Sequence, residues 1–212
     1  MNPTIRVIMG WIVGVVVVGL TIVGLAKLGG TSATGKNVNL SLVTDDHQSG
    51  PAMAKATLVE YGDFQCPACG AYEPIVEKVK QSYGDKLLLV FRNYPLPQHQ
   101  FAQIAAQAAE AANLQGKYWE MHNLLYQEQN TWSVSKDINA ALKGYAGQLG
   151  LDIAKFTTDL TSRVAKDRVQ RDIDSGNGYQ INGTPTFYLN GQELVLPISE
   201  QGLKDKIDPL VK

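Results

Sequence analysis

The only two cysteines in the chain stand in a single four-residue run, Cys66-Pro67-Ala68-Cys69. At that spacing, on the first turn of a helix, two thiols lie close enough to form a disulfide without moving the backbone. Closing so small a loop removes almost no chain entropy and so stabilises little, which makes the pair a reactive one rather than a brace. Proline directly after Cys66 suits the first position of a helix, where its missing N–H is not needed. Ile75, Val76 and Val79 then follow at helical spacing, so Cys66 is placed at a helix start. Unpaired amides and partial positive charge there favour thiolate over thiol, and Cys66 is the expected attacking sulfur. Cys69, one turn inward, is the expected resolving thiol, displacing a partner from a mixed disulfide.

Two further residues belong to the same chemistry. Glu60 precedes Cys66 by six residues in an otherwise apolar run. A carboxylate is costly there without a role, and the reading is a buried acid with a raised pKa that relays the proton of Cys69. Pro185 opens the β-prone run Thr184 to Leu189. Proline is excluded from central ladders unless its N–H is not needed. A cis Thr184-Pro185 bond would leave an unpaired edge able to hydrogen-bond an extended peptide.

The elements that position these residues are legible as a pattern. Ala56 to Tyr61 reads as a central strand broken by Gly62-Asp63, and Lys86 to Phe91 as a strand buried on both faces. With the intervening helix, kinked at Pro74, they form a βαβ unit. Residues from about 98 to 178 read as helical, with one segment beginning near Val134 and another near Ile153, and Gly144, Gly147 and Gly150 as breaks. The alanine stripe from Ala102 to Ala112 and the aromatics Tyr118, Trp119, Tyr126 and Trp132 read as packing core. Thr184 to Leu189, the turn Asn190-Gly191 and Glu193 to Leu196 read as a hairpin, followed by a helix from Ser199.

The chain has 212 residues, enough for one domain with an appendage. From Val7 to Ala26 runs an uncharged apolar stretch flanked by Arg6 and Lys27. As a helix it would span about 30 Å, so residues 1–28 are expected to form a single membrane-anchoring helix, with a cleavable signal peptide as the competing reading. Positive charge before the span places the amino terminus in the cytoplasm and the rest outside. Residues 29–50 read as a flexible linker, with an edge strand at Asn37 to Val43 as the competing reading, and residues 51–212 as the folded domain. A net charge of −1 gives no footprint for nucleic acid.

The order Glu60, Cys66-Pro67-Ala68-Cys69, Pro74, a long helical insertion and Gly183-Thr184-Pro185-Thr186-Phe187 resembles the DsbA family of the thioredoxin superfamily, over about Lys55 to the C-terminus. The resemblance implies an α/β thioredoxin fold with an all-helical insertion that caps the active site. It implies Cys66 as nucleophile, Cys69 as resolving thiol, Glu60 as buried acid and Pro185 as a cis-proline facing the cysteines. Thr184, Pro67 and Ala68 are then the substrate-binding positions. The membrane anchor is similar to that of BdbD-like proteins. The expected activity is oxidation of unfolded or reduced secreted proteins, with reoxidation by a quinone-coupled DsbB-like or VKOR-like membrane partner and no organic cofactor. Ala68 departs from the family pattern, which often has histidine there, so one source of thiolate stabilisation is missing.

Two other functional readings compete, and a calcium site stays open. A tethered reductase uses the same residues in the reverse direction. A copper- or zinc-binding chaperone needs ligands beyond two sulfurs, and His47, His99 and His122 read as surface or partly buried imidazoles. Asp45, Asp46, Asp172 and Asp174 lack the spacing of a calcium loop.

Overall fold

A computed structural model of the chain describes residues 35–212. The anchor expected at residues 1–28 lies outside the described residues, and among those described no helix is long and apolar enough to cross a membrane.

The sheet has five strands in the order β1-β3-β2-β4-β5. Its centre is β2 (Ala56–Gly62) beside β3 (Leu87–Asn93), paired in parallel with Glu60 opposite Phe91 and Tyr61 opposite Arg92. Leu87 to Asn93 are all buried, as a near-continuous apolar run in a central strand requires. Helix α1 (Pro67–Tyr83) makes the crossover between these two strands. On the other side of β2 lies β4 (Thr186–Leu189), antiparallel, which turns through Asn190 (φ 48°) and Gly191 (φ 82°) into β5 (Gln192–Glu193). Two consecutive positive φ values are what an Asn-Gly hairpin turn supplies. The return strand is two residues long, shorter than the expected run to Leu196.

Between β3 and β4 the chain is helical: α2 (Ala102–Asn113), α3 (Tyr118–Gln127), α4 (Gln129–Trp132), α5 (Ile138–Gln148), α6 (Ile153–Leu160) and α7 (Arg163–Gly178). Side-chain oxygens of Asp137, Asp152 and Ser162 cap α5, α6 and α7, and Ser199 caps the closing helix α8 (Glu200–Val211). The segment expected from Val134 starts at Ile138, where the Asp137 cap lies. Gly150 ends a helix as expected, but Gly144 and Gly147 lie inside α5. A glycine there costs about 1 kcal/mol against alanine, less than the burial of neighbouring Leu142, Tyr145 and Ala146 contributes.

The polar stretch 29–50 is not a free linker over its described part. His47–Ser49 forms β1, antiparallel to β3, and a single bridge joins Asn37 to Gln192. Val38 and Leu40 pack against the sheet face formed by Val59, Tyr61, Leu88, Val90 and Tyr188 without forming the edge strand of the competing reading.

Candidate active site

At the end of β2 the chain turns through Asp63, Phe64 and Gln65 into α1. Asp63 is buried and fixes that turn: its carboxylate accepts from the amides of Gln65 (2.7 Å) and Leu96 (2.9 Å) and meets His99 Nδ1 at 2.6 Å. Accepting from the amide two residues on is the habit of aspartate in turns. Its carbonyl accepts from Cys66 N at 3.0 Å. Cys66 is thereby held as the N-cap of α1 with extended backbone (φ −71°, ψ 119°), and no side-chain oxygen caps the helix. A sulfur occupies the place a capping serine or aspartate would take, facing amides that lack intrahelical partners.

The two sulfurs are unbonded to each other and differ in environment. Cys66 retains 6% of its surface and Cys69 none, while Pro67 and Ala68 between them are exposed. The Cys66 thiol is lowered to about 5, chiefly because the Cys69 thiol donates to it. The Thr184 side chain and the backbone amides of Cys69 and Ala68 assist, against a burial cost of opposite sign. Helix-end amides and a second thiol thus supply the stabilisation that a histidine at position 68 would share. Cys69 is driven strongly upward by burial first, then by its hydrogen bond to Cys66 and the charge of Glu60. One sulfur is therefore a thiolate at neutral pH and the other holds its proton.

Opposite the sulfurs stands the loop before β4. Thr184-Pro185 is cis, Pro185 is buried, and the strand expected from Thr184 begins at Thr186. As a thiol, Cys66 donates from Sγ to the Thr184 carbonyl at 3.3 Å. The Thr184 hydroxyl is buried and without another partner among the described residues, so it is free to donate to a thiolate.

Glu60 lies under the pair, 2% exposed, its carboxyl pushed well above the usual range by burial first and then by Glu73 and Cys66, both negative. Its strand partner is Phe91, whose ring packs on Phe64 and His122. Glu73, one turn beyond Cys69 on α1, is raised to about 7, mainly by burial.

The sequence-expected residues Glu60, Cys66, Pro67, Ala68, Cys69, Thr184 and Pro185 thus meet at one end of the sheet. Two of the three histidines, His47 and His122, depart from the expected surface or partly buried setting, and His99 keeps to it. His47 is buried on Glu110 at 2.7 Å, and His122 is buried among aromatics with its pKa lowered by burial to about 3. His99 is bound to Asp63. Asp45, Asp46 and Asp172 are bound by Arg171, Arg92 and Arg168 respectively. Among the described residues, no group of three or more His, Cys, Asp or Glu could hold a metal ion. Sequence reasoning misses Asp63, Gln65 and Gln129. Asp63 carries a usable signal, an aspartate opening a turn, but Gln129 is 63 residues from Cys66 and carries none.

A family model described as Thioredoxin matches residues 43–209. Among curated proteins, the chain is 43% identical over 148 residues to Na(+)/H(+) antiporter NhaA 1 of Salinispora arenicola, covering 69% of this chain and 22% of that one. It is 39% identical over 150 residues to Na(+)/H(+) antiporter NhaA 1 of Mycolicibacterium gilvum, covering 69% and 24%. The chain therefore spans about a fifth of the length of these relatives. Among solved structures it is similar to oxidised BdbD from Bacillus subtilis, with TM-score 0.71, 22% identity, and coverage of 84% of this chain and 97% of that one. It is similar to alpha-DsbA1 from Wolbachia pipientis, with TM-score 0.72, 21% identity and coverage of 81% and 94%. It is also similar to DsbA2 from Pseudomonas aeruginosa, with TM-score 0.63, 26% identity and coverage of 80% and 97%.

Proposed function

The chain belongs to the thioredoxin family, and from that premise we propose that it is an extracytoplasmic thiol–disulfide oxidase that donates the Cys66–Cys69 disulfide to reduced secreted or membrane proteins. The observation that carries this reading is the asymmetry of the pair. Cys66 is lowered to about 5 while Cys69 is raised, so the dithiol form is stabilised through its thiolate. A stabilised reduced form makes the corresponding disulfide a strong oxidant.

The reaction then runs in two exchanges. A substrate thiolate attacks Cys66 Sγ, the Cys66–Cys69 bond breaks, and Cys69 leaves and takes up a proton relayed through Glu60. The substrate's second thiolate attacks the substrate sulfur of the mixed disulfide, and Cys66 leaves as the thiolate its environment favours. The substrate loses two electrons and two protons; the protein gains both electrons and keeps one proton on Cys69, with the other passing to solvent. Pro67 and Ala68, exposed beside the sulfur, and Thr184 are the proposed contacts for the substrate's extended chain.

The chain has no further cysteine to carry the electrons onward. The partner we propose for reoxidation is a quinone-coupled membrane protein of the DsbB or VKOR kind. The uncharged run Val7 to Ala26 supports a single-pass anchor holding the domain outside the membrane. Ion transport, named for the curated relatives, is not proposed for a chain matching 22% of their length.

The test is stoichiometric. Pre-oxidised full-length chain is mixed with a reduced dithiol peptide in the absence of other oxidants. Disulfide appearing in the peptide, matched by thiols at Cys66 and Cys69, supports an oxidase; no transfer, with ready transfer in reverse, makes the chain a tethered reductase.

A further inference from the structure

Gln129 lies on the short helix α4, within the helical insertion, and is 7% exposed. Its carboxamide nitrogen donates to the carbonyl of Phe64 at 2.7 Å and to that of Cys66 at 2.9 Å, the two residues flanking Gln65. Both protons of that nitrogen are thus committed to the turn that presents the reactive sulfur. The Cys66 carbonyl also accepts from Gly70 N at 3.1 Å, the first bond of α1, so Gln129 grips the same carbonyl that anchors the helix start. A second observation points the same way. A Cβ placed on Gly70 would lie 2.5 Å from Gln129 Oε1 and 3.0 Å from its Cδ, so the approach of the carboxamide leaves no room for a side chain there. Gln65 adds a flanking stitch, accepting from Phe101 N and donating to the Ser133 carbonyl at 3.3 Å.

We infer that Gln129 is a positioning residue for Cys66: through its two hydrogen bonds the helical insertion sets the geometry of the N-cap turn and thereby the stability of the Cys66 thiolate. The inference rests on the reading of Cys66 and Cys69 as a redox pair. The physical chain is short. The thiolate is held in part by the amides of Ala68 and Cys69, and those amides point at the sulfur only while the backbone on both sides of Gln65 keeps its course. Releasing Phe64 and Cys66 frees that turn. The carboxamide itself never touches the sulfur or the substrate, so its removal leaves the chemistry possible and retunes it.

The experiment uses the full chain with Gln129→Ala, Gln129→Met and Gly70→Ala. Cys66 ionisation is followed by thiolate absorbance against pH, and the dithiol–disulfide equilibrium is titrated against glutathione. Gln129→Met keeps the volume without the donors, and carries the test should the alanine variant leave a cavity that prevents folding. Gly70→Ala disturbs the carboxamide while leaving Gln129 in place. The result expected is a rise in the Cys66 thiol pKa and a shift of the glutathione equilibrium toward the disulfide, about three- to ten-fold, the worth of a buried hydrogen bond or two. All three variants move in that same direction. An unchanged or lowered thiol pKa in folded Gln129→Met, with only thermal stability reduced, overturns the inference. Failure of the wild-type chain to form the Cys66–Cys69 disulfide would overturn the redox reading itself, a result distinct from a normal wild-type titration that the variants simply reproduce.

Discussion

Glu60 and Tyr61 are neighbours on β2, and the alternation of a strand sends them to opposite faces of the sheet. On the Tyr61 face the strand partner is Arg92, 2% exposed, whose guanidinium donates to both carboxylate oxygens of Asp46 at 2.9 Å, to Tyr61 at 2.7 Å and to the Ser41 carbonyl at 2.8 Å. On the Glu60 face the partner is Phe91, and the charges acting on Glu60 are negative. One face takes in charge and satisfies it by bidentate pairing; the other takes in a carboxyl group and holds it neutral. Both groups are equally removed from water, so burial alone does not mark function. What marks it is whether the surroundings supply the opposite charge, because a carboxyl group held neutral carries a proton it can give while a paired carboxylate does not.

The sharpest way to break this contrast is at the sulfurs. Cys66→Ser is expected to abolish disulfide transfer completely, whereas Cys69→Ser leaves a Cys66 thiolate that attacks an added disulfide-bonded peptide, displaces one of its sulfurs as a thiolate and keeps the other in a mixed disulfide that accumulates on non-reducing electrophoresis. Next in size is Glu60→Gln. It is expected to slow the step that moves the Cys69 proton by about 100-fold, the lower end for a positioned acid–base group, measured by stopped-flow reduction of the oxidised chain across pH, with stability unchanged or raised. On the opposite face, Asp46→Asn leaves Arg92 buried without its counter-charge and is expected to cost about 3–5 kcal/mol in urea denaturation, with the glutathione equilibrium unmoved. A rate effect from Asp46→Asn, or a comparable stability loss from Glu60→Gln, would erase the distinction between the faces.

A smaller effect follows from pH. The Cys66 thiol is depressed to about 5 in the folded dithiol form, against about 8.5 for a free thiol. A depressed group contributes stability that is complete above the unfolded pKa and is lost as pH falls through the folded one. The dithiol form should therefore gain about 2 kcal/mol relative to the disulfide form as pH rises from 5 to 7, with little change below pH 5. Parallel denaturation of both forms across that range measures it, and parallel curves would show that Cys66 is not ionised.

The local parts of the site are legible in the amino-acid sequence alone. Cys66 and Cys69 declare themselves by number and spacing, Glu60 by its apolar neighbours, Asn190-Gly191 by turn chemistry, and Pro185 by opening a strand pattern. Errors arise where the sequence signal reports burial but not partners. Val38 and Leu40 alternate because they lie on an apolar sheet face, yet the edge strand beside β3 is His47–Ser49. His47 and His122 read as ordinary polar residues because what encloses them comes from distant elements: Glu110 and Tyr118 for one, Phe64 and Phe91 for the other. The grip of Gln129 on Cys66 crosses 63 residues and rests on a four-residue helix too short to leave a pattern.

The most direct test of the central claim is the equilibrium reduction potential of the Cys66–Cys69 couple, titrated against glutathione at pH 7. A thiolate-stabilised pair of this kind predicts a value of about −120 to −180 mV, in the range of strong to moderate oxidants. A value near about −270 mV, or failure of the disulfide to form, would contradict it.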